Sequence, residues 1–260
     1  MTTKTKTPEE TGLARAGKRA ADEVRPMVIK TDYFDNADGS AYIEMGKTKV
    51  AAAATIDDKV PPFLKNTGRG WVTAEYSMLP CATEKRTPRE RTAGKISGRT
   101  QEIQRLIGRS LRSVTDLSAL GETTIVIDCD VLQADGGTRA ASVTVGCIAL
   151  ALALKKLLDH GYVEAMPLKH LIAAVSVGMV KGRELLDLDY SEDSNADLDM
   201  NIVETDGGQL VEVQASAEKC PFTRKDFAGL MKLADKGVAE IIAVQRDVLM
   251  KKSVLFMAYG

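Results

Sequence analysis

The stretch Val131-Leu-Gln-Ala-Asp-Gly-Gly-Thr-Arg139 lies between two apolar segments of different character. A β-rich run over residues 123–132 leads into it, and a long apolar run with helical character, from Ala140 to Leu158, follows it. Paired glycines let the backbone turn sharply and approach a ligand closely. The sequence therefore predicts a strand, a glycine turn and a buried helix, in that order.

This turn is a candidate anion site. Thr138 and Arg139 fall in the first turn of the predicted helix, where free N–H groups and the helix dipole favour an anion. Arg139 adds a bidentate donor suited to phosphate. The plainer alternative is an ordinary strand-to-helix turn with Thr138 as its N-cap, and a motif this short does not decide between the two.

Composition and charge limit the function classes. The chain has 260 residues, 44% hydrophobic and 27% charged, which is ample for a large core. Its net charge of −1 creates no global field towards nucleic acid. Residues 83–112, however, hold nine Lys/Arg against three Asp/Glu, and residues 184–212 hold ten Asp/Glu without a Lys or Arg. These segments indicate a local polyanion site and a local cation site, or else two solvated faces.

Cysteine spacing and hydropathy bear on the compartment. The four cysteines are far apart and predict reduced thiols in a cytosolic protein; they are Cys81, Cys129, Cys147 and Cys220. The N-terminus has no apolar signal-peptide region. The apolar run over residues 143–154 is interrupted by Thr144 and Gly146 and is too short for a bilayer, so it predicts a buried helix.

Residue periodicity predicts the other elements. Strands are expected at 28–29, 41–45, 49–56, 71–76, 171–180 and 185–190, with a hairpin that pairs 200–204 with 210–214. A helix is expected from Arg99, with one apolar face formed by Ile103, Leu106, Ile107, Leu111 and Val114. A closing helix has its apolar face at Phe227, Leu230, Met231, Ala234, Val238, Ile241 and Ile242. Residues 83–98 predict an exposed basic loop and residues 191–197 a polar loop. A disordered tail over 1–12 and one α/β domain over 13–260, with a duplicated unit, complete the prediction.

Several motifs in the right order resemble the RNase PH family of phosphate-dependent exoribonucleases. They are GRTQEIQRLI at 98–107, DCDVLQADGGTR at 128–139 and AAVSVG at 173–178, with shorter matches at 24–26, 63–65, 70–71 and 187–194. The resemblance extends from about Arg15 to about Val248. It implies a duplicated RNase PH-like βαβα domain, with mixed sheets packed with helices. It also implies a homo-hexamer built as a trimer of dimers.

The resemblance also implies residue roles. Phosphate-binding residues fall on Arg99, Gly137, Thr138 and Arg139. Catalytic acids that bind a metal, Mg²⁺ or Mn²⁺, fall on Asp193 and Asp199, and RNA-binding arginines fall on Arg86 and Arg89. Cys81 stands where the family carries a further RNA-contacting arginine. One aspartate could also donate the proton to the leaving RNA 3′-oxygen, and the sequence leaves this open.

The expected function is phosphorolytic 3′→5′ trimming of tRNA precursors and other RNA 3′ ends. Inorganic phosphate is the co-substrate and nucleoside diphosphates are released, in the cytoplasm, without DNA or a membrane as partner. Two anions must meet in this reaction, so arginines and a divalent cation are the expected means of neutralising charge. The alternative is a non-catalytic or catalytic RNA-binding ring subunit of an exosome-type complex. The presence of Arg99, Arg139 and both aspartates favours the enzyme.

Overall fold

A computed structural model describes residues 15–90, 92 and 94–254. The predicted tail over 1–12 and Arg91 in the basic loop lie outside the described residues. The strands of the described chain are β1 Met27–Thr31, β2 Gly39–Met45, β3 Thr48–Asp57, β4 Trp71–Met78, β5 Thr124–Gln133, β6 Ile172–Val180, β7 Arg183–Leu186, β8 Leu198–Thr205 and β9 Leu210–Ala217. The helices are α1 Gly98–Ser113, α2 Thr138–Asp159, α3 Tyr190–Asp193 and α4 Arg224–Met250.

The strands form two sheets. The first has five strands in the order β1-β2-β3-β5-β4, and the second has four in the order β7-β6-β8-β9. In the first sheet β4 and β5 are parallel, and α1 forms the crossover that a parallel pair requires. The remaining neighbours are antiparallel. Each half thus runs from strands to a helix, back to strands and into a final helix, which confirms the duplicated α/β fold.

Helix α2 lies at the centre of the molecule because it is apolar on all sides. It packs against β2 and β3 of the first sheet and against β6 of the second. Gly39 on β2 allows a close approach, since a Cβ there would lie 2.3 Å from the Ala149 carbonyl oxygen. The 22 residues of α2 meet the length and hydropathy of a membrane span, but 83% of its apolar window is buried inside the protein. The helix is therefore part of the core, although it is longer than the apolar run that predicted it.

The predicted apolar faces of the outer helices lie against the sheets. The stripe on α1 is buried, with Ile103, Ile107 and Leu111 fully so, and α1 packs on β4. On α4, which packs on β6 and β7, Leu230, Ala234, Val238, Ile241 and Ile242 are buried. Residues of both sheets and of α1, α2 and α4 join one continuous core. The predicted hairpin of β8 and β9 forms, with Ile202 opposite Val213 and a register shift between Val203 and Glu204.

Two expectations about the second half are wrong. Residues 185–190 are not one strand, because β7 ends at Leu186 and Asp187 takes a positive φ of 54°. Residues 191–197 are not all loop, because Asp189 starts α3 through a capping box with Glu192. The apolar strand predicted over 171–180 forms as β6 and is buried within the chain, where it packs against α2 and α4.

Candidate active site

The glycine turn between β5 and α2 is held closely on both sides. Gly136 and Gly137 have φ of +75° and +64°, which glycine adopts without strain. A Cβ on Gly136 would lie 2.6 Å from the Leu188 carbonyl oxygen, so the turn packs directly against the segment that begins α3. Thr48 Oγ1 donates to the Gly136 carbonyl at 2.7 Å and accepts from the Asp135 N–H at 3.0 Å. The turn is therefore rigid without help from a ligand.

The first turn of α2 is open to an anion. Its N-cap is Gly137, not Thr138, and no described side chain caps it. Thr138 is instead the first helical residue, and its Oγ1 accepts a hydrogen bond of 3.0 Å from the buried Tyr76 hydroxyl. Burial raises the pKa of Tyr76, which keeps this donor protonated. Backbone N–H groups at this helix start thus have no side-chain acceptor and can receive an anion.

Two arginines lie close to this helix start. Arg139 is part-buried and its Nη1 donates to Gln214 Oε1 on β9 and, at 3.4 Å, to Glu102 Oε1 on α1. Arg99 is the second residue of α1, whose cap is Ser97, and its side chain is exposed. An arginine at a helix start opposes the helix dipole. Helix stability therefore does not explain the position of Arg99.

Asp193 and Asp199 are close enough for the charge of one to affect the other. Burial and the neighbouring Asp193 raise the pKa of Asp199 to about 6, against the opposing charge of Arg139. The pKa of Asp193 is also raised, mainly by burial, while Arg99 and Arg139 act to lower it. Asp199 Oδ2 accepts from Asn201 at 3.2 Å, but its buried Oδ1 has no hydrogen-bond partner among the described residues. Buried polar atoms normally have a partner, and a cation or a donor would satisfy this one.

One open pocket of about 500 Å³ is lined by Arg99, Arg139, Asp193 and Asp199. Its lining is completed by Ser194, Ala196, Gln214, Ser216, Glu218 and Lys219. The pocket therefore brings together residues from α1, α2, α3 and β8 that are far apart in sequence, and both cations and carboxylates line it. Its carboxylates are those of Asp193, Asp199 and Glu218. Among the described residues no group of three or more His, Cys, Asp or Glu side chains is arranged to hold a metal.

The basic loop lies apart from this pocket. Arg86 and Arg89 are exposed in the segment between β4 and α1, and neither lines the pocket. Cys81 is exposed in the same segment. All four cysteines are free thiols, and the pKa of Cys147 is raised to about 12 by complete burial.

Only some carboxylates of the acidic segment, residues 184–212, line the pocket, because others form ion pairs with arginines. Asp187 pairs with Arg25 at 2.7 Å, and Glu192 pairs with Arg15 at 2.7 Å. The sequence did not predict these partners, nor the roles of Tyr76 and Gln214. The Asp189-x-x-Glu192 capping signal was visible in the sequence, but the ion pairs join residues more than 160 positions apart and leave no local pattern.

Comparison with known proteins agrees with this geometry. The model of the 3′ exoribonuclease family, RNase PH, matches the chain in two parts, domain 1 at residues 23–156 and domain 2 at residues 170–237. The chain belongs to the RNase PH family of 3′ exoribonucleases. Its relatives include Ribonuclease PH of Moorella thermoacetica, 57% identical over 91% of this chain and 95% of the relative. Ribonuclease PH of Solibacter usitatus is 55% identical over 90% and 99%, and that of Bacillus subtilis 53% over 89% and 95%.

Solved structures share the fold. The Archaeoglobus fulgidus exosome with RNA bound to the active site matches with a TM-score of 0.76 and 22% identity, covering 88% of this chain and 91% of that one. An archaeal exosome core matches with a TM-score of 0.71 and 20% identity, covering 89% and 91%. Identities this low support the architecture alone.

Proposed function

We propose that this protein trims RNA 3′ ends by phosphorolysis. Inorganic phosphate attacks the terminal phosphodiester, and one nucleoside diphosphate is released in each cycle. Tails of tRNA precursors and of other RNAs are the substrates. Support comes from the family membership and from relatives of 52–57% identity that are named Ribonuclease PH. The exosome match, whose structure holds RNA at its active site, is consistent with an RNA substrate.

One observation carries this proposal: Arg99 and Arg139 line the same pocket as Asp193 and Asp199, at the start of α2. Phosphorolysis brings two anions together, so it needs fixed positive charge and metal-binding oxygen in one site. The two arginines and the two aspartates supply both. An RNA-binding ring subunit without activity has no use for this combination, and no observation favours that alternative.

The phosphate-binding side consists of the turn and the two arginines. Gly137 and Thr138 present backbone N–H groups, and Arg99 and Arg139 add charge-assisted donors. Tyr76 orients the Thr138 hydroxyl by donating to it, so that Thr138 can donate to a phosphate oxygen in turn. Attacking phosphate would thus be bound at a defined position before RNA arrives.

The carboxylate side fits Mg²⁺ or Mn²⁺. The buried Asp199 Oδ1 has no partner within the part of the chain that the structure describes, and both carboxyl pKa values are raised, as expected for acids that need a cation nearby. Mg²⁺ binds through one or two carboxylates and keeps its other positions for water and substrate phosphates. Asp193 and Asp199 would hold the ion, and its chemistry is to neutralise charge on the reacting phosphate oxygens.

The basic loop would hold the body of the RNA. Arg86 and Arg89 are exposed, and the segment over 83–98 carries no aromatic side chain for base stacking. We therefore assign it to phosphate contacts, which position RNA without reading its sequence. Assembly as a hexamer, a trimer of dimers, and a cytoplasmic location belong to the same proposal and rest on the family resemblance.

The test is to incubate the purified protein with a 3′-extended tRNA and Mg²⁺, with and without phosphate. We expect nucleoside diphosphates to appear only when phosphate is present. Release of nucleoside monophosphates without phosphate would show hydrolysis instead. Failure to shorten the RNA under either condition would overturn the proposed activity.

A further inference from the structure

Residues 15–25, here called the arginine segment, lie between the glycine turn and the segment that carries Asp193. Arg15 and Arg25 are only 5% and 4% exposed. Arg19 lies beside them, with Nη1 3.6 Å from Asp187 and Nη2 3.4 Å from Glu192. Charged side chains are rarely buried so deeply unless they are paired, and here three arginines share two acids.

Arg25 joins the glycine turn to the acidic segment. Its Nε and Nη2 donate to the two carboxylate oxygens of Asp187 at 2.9 and 2.7 Å. Its Nη1 donates to the Asp135 carbonyl oxygen at 2.6 Å. A Cβ on Gly137 would lie 2.9 Å from Arg25 Nη2, so the guanidinium packs directly beneath the turn. A planar fork with donors on several sides is required to make these contacts together.

Arg15 binds to α3 and not to the glycine turn. Its Nε and Nη2 donate to the two carboxylate oxygens of Glu192 at 2.7 and 3.0 Å. Nη2 also donates to the Leu186 carbonyl oxygen at 2.7 Å, which ties the end of β7 to α3. Glu192 is the residue immediately before Asp193, so its position determines where Asp193 points into the pocket.

We propose that Arg25 and Arg15 are positioning residues with separate targets, the phosphate turn for Arg25 and the carboxylate Asp193 for Arg15. This inference rests on the proposed phosphorolysis and extends it to residues that do not line the pocket. Buried ion pairs often contribute no more to stability than apolar side chains of similar volume. What these two pairs do is fix backbone atoms on opposite sides of one pocket.

We expect substitutions of Arg25 and Arg15 to change different kinetic constants. Arg25→Lys keeps the charge but loses the fork, so we expect the KM for phosphate to rise about tenfold or more, with a smaller change in kcat. Arg15→Lys should lower kcat by about tenfold or more and weaken Mn²⁺ binding, with the KM for phosphate unchanged. Displacing a reacting group by about 1 Å can lower a rate by about 100-fold, which sets the upper limit of both effects.

A matched control exists in the same segment. Asp22 pairs with Lys236 of α4 at 2.7 Å, and both side chains are about half exposed. Lys236→Met removes a tie between the arginine segment and the protein body without touching the turn or α3. We expect wild-type constants from it. If Lys236→Met reproduced either effect, the segment would act through general stability and the assignment would be overturned.

Folding is controlled by a second variant. Arg25→Gln combined with Asp187→Asn removes one buried charge of each sign, so the net charge of the cluster is unchanged and Arg19 keeps its contact with Glu192. Asn tolerates the positive φ of Asp187. We expect this double variant to fold and still show the raised KM for phosphate. A folded double variant with wild-type KM would overturn the role of Arg25. Failure of both Arg25 variants to fold would assign the residue to structure and equally overturn it.

The measurements separate this inference from the proposed activity. Nucleoside diphosphate release by wild type tests the activity itself. Protection against thermal unfolding by inorganic phosphate tests the turn without turnover, and Mn²⁺ titration followed by electron paramagnetic resonance tests Asp193 in the same way. If phosphate protected Arg25→Lys as well as wild type, the role of Arg25 would be overturned, even if the enzyme were active. If Arg15→Lys bound Mn²⁺ with wild-type affinity, the role of Arg15 would be overturned in the same way.

Discussion

At the level of single residues, the folded protein disfavours the charged form of Asp199. Burial and Asp193 raise its pKa to about 6 from 3.8. We expect Asp199→Asn to abolish nearly all phosphorolysis while RNA binding persists, because the arginines and the basic loop remain. Chelation of divalent metal should have the same effect on wild type. An Asp199→Asn protein with full activity would contradict the assignment of this residue to catalysis.

The raised pKa also gives the sign of a stability change. The folded state retains a proton on Asp199 that the unfolded chain releases, so metal-free wild type loses stability as pH rises from about 4 to about 6. Asn does not titrate, and Asp199→Asn should therefore be more stable at pH 7 by on the order of 2 kcal/mol, with no difference below about pH 4. Denaturant unfolding in chelator at both pH values measures this. Asp159→Asn, at an exposed pair with Lys155, is the control and should show no such gain.

The two arginines of the pocket permit a parallel test of phosphate binding. Arg139→Ala and Arg99→Ala should each raise the phosphate requirement and lower the rate. Loss of one charge-assisted contact to an anion costs about 1.5–3 kcal/mol, or on the order of 10–100-fold. Phosphate titration of the rate measures the effect. Arg109→Ala, which removes an exposed pair with Glu212, is the control. An arginine whose removal left phosphate dependence unchanged would have to be reassigned to structure.

At the level of elements, the sequence predicted the helices and turns that local residue patterns determine. The glycine turn, the buried α2 and the amphipathic α1 follow from periodicity and turn residues, and the structure has all three. The failure came at Asp187, where alternation suggested a continuing strand. A buried ion pair with Arg25 stabilises the positive φ that ends β7 there, and tertiary contacts of this kind override local propensity.

The basic loop is the element on which the RNA-binding prediction rests. Arg86→Ala combined with Arg89→Ala should weaken tRNA binding and reduce its salt dependence, by roughly 0.7–0.9 in the log–log slope for each lost phosphate contact. Cleavage of a very short oligonucleotide should persist, because neither arginine lines the pocket. Binding titrations at several salt concentrations measure the slope. Equal losses on long and short substrates would show that the loop serves folding or catalysis. Lys155→Ala with Lys169→Ala, two cations away from the loop, is the control.

At the level of the whole molecule, the assembly prediction rests on the family resemblance. Strand β6 is covered within the chain, so its apolarity does not call for a partner. Both sheets instead end in strands with one unpaired neighbour position, β1 and β4 in the first and β7 and β9 in the second. We expect light scattering to give about six times the chain mass of 28.0 kDa. A stable monomer at micromolar concentration would contradict the ring.

In the candidate site, as in the fold, the sequence predicted what local motifs encode and missed what long-range contacts determine. Motif resemblance identified Arg99, Arg139, Asp193 and Asp199, and the structure places all four around one pocket, where their roles stay predictions. Tyr76, Gln214 and Arg25 were missed because their contacts depend on distant parts of the chain meeting. Local sequence predicts which groups could react, whereas the contacts that orient them emerge only from tertiary packing.

The same long-range ion pairs impose an order on synthesis. Arg25 leaves the ribosome 162 residues before its partner Asp187, and Arg15 precedes Glu192 by 177. At about 5–20 residues per second, this interval is roughly 10–30 s. A nascent chain can complete its first sheet and α2 during that time, yet its glycine turn lacks the support of the later acids. The proposed phosphate site can therefore form completely only after Asp187 and Glu192 have been synthesised, when the basic loop has already emerged.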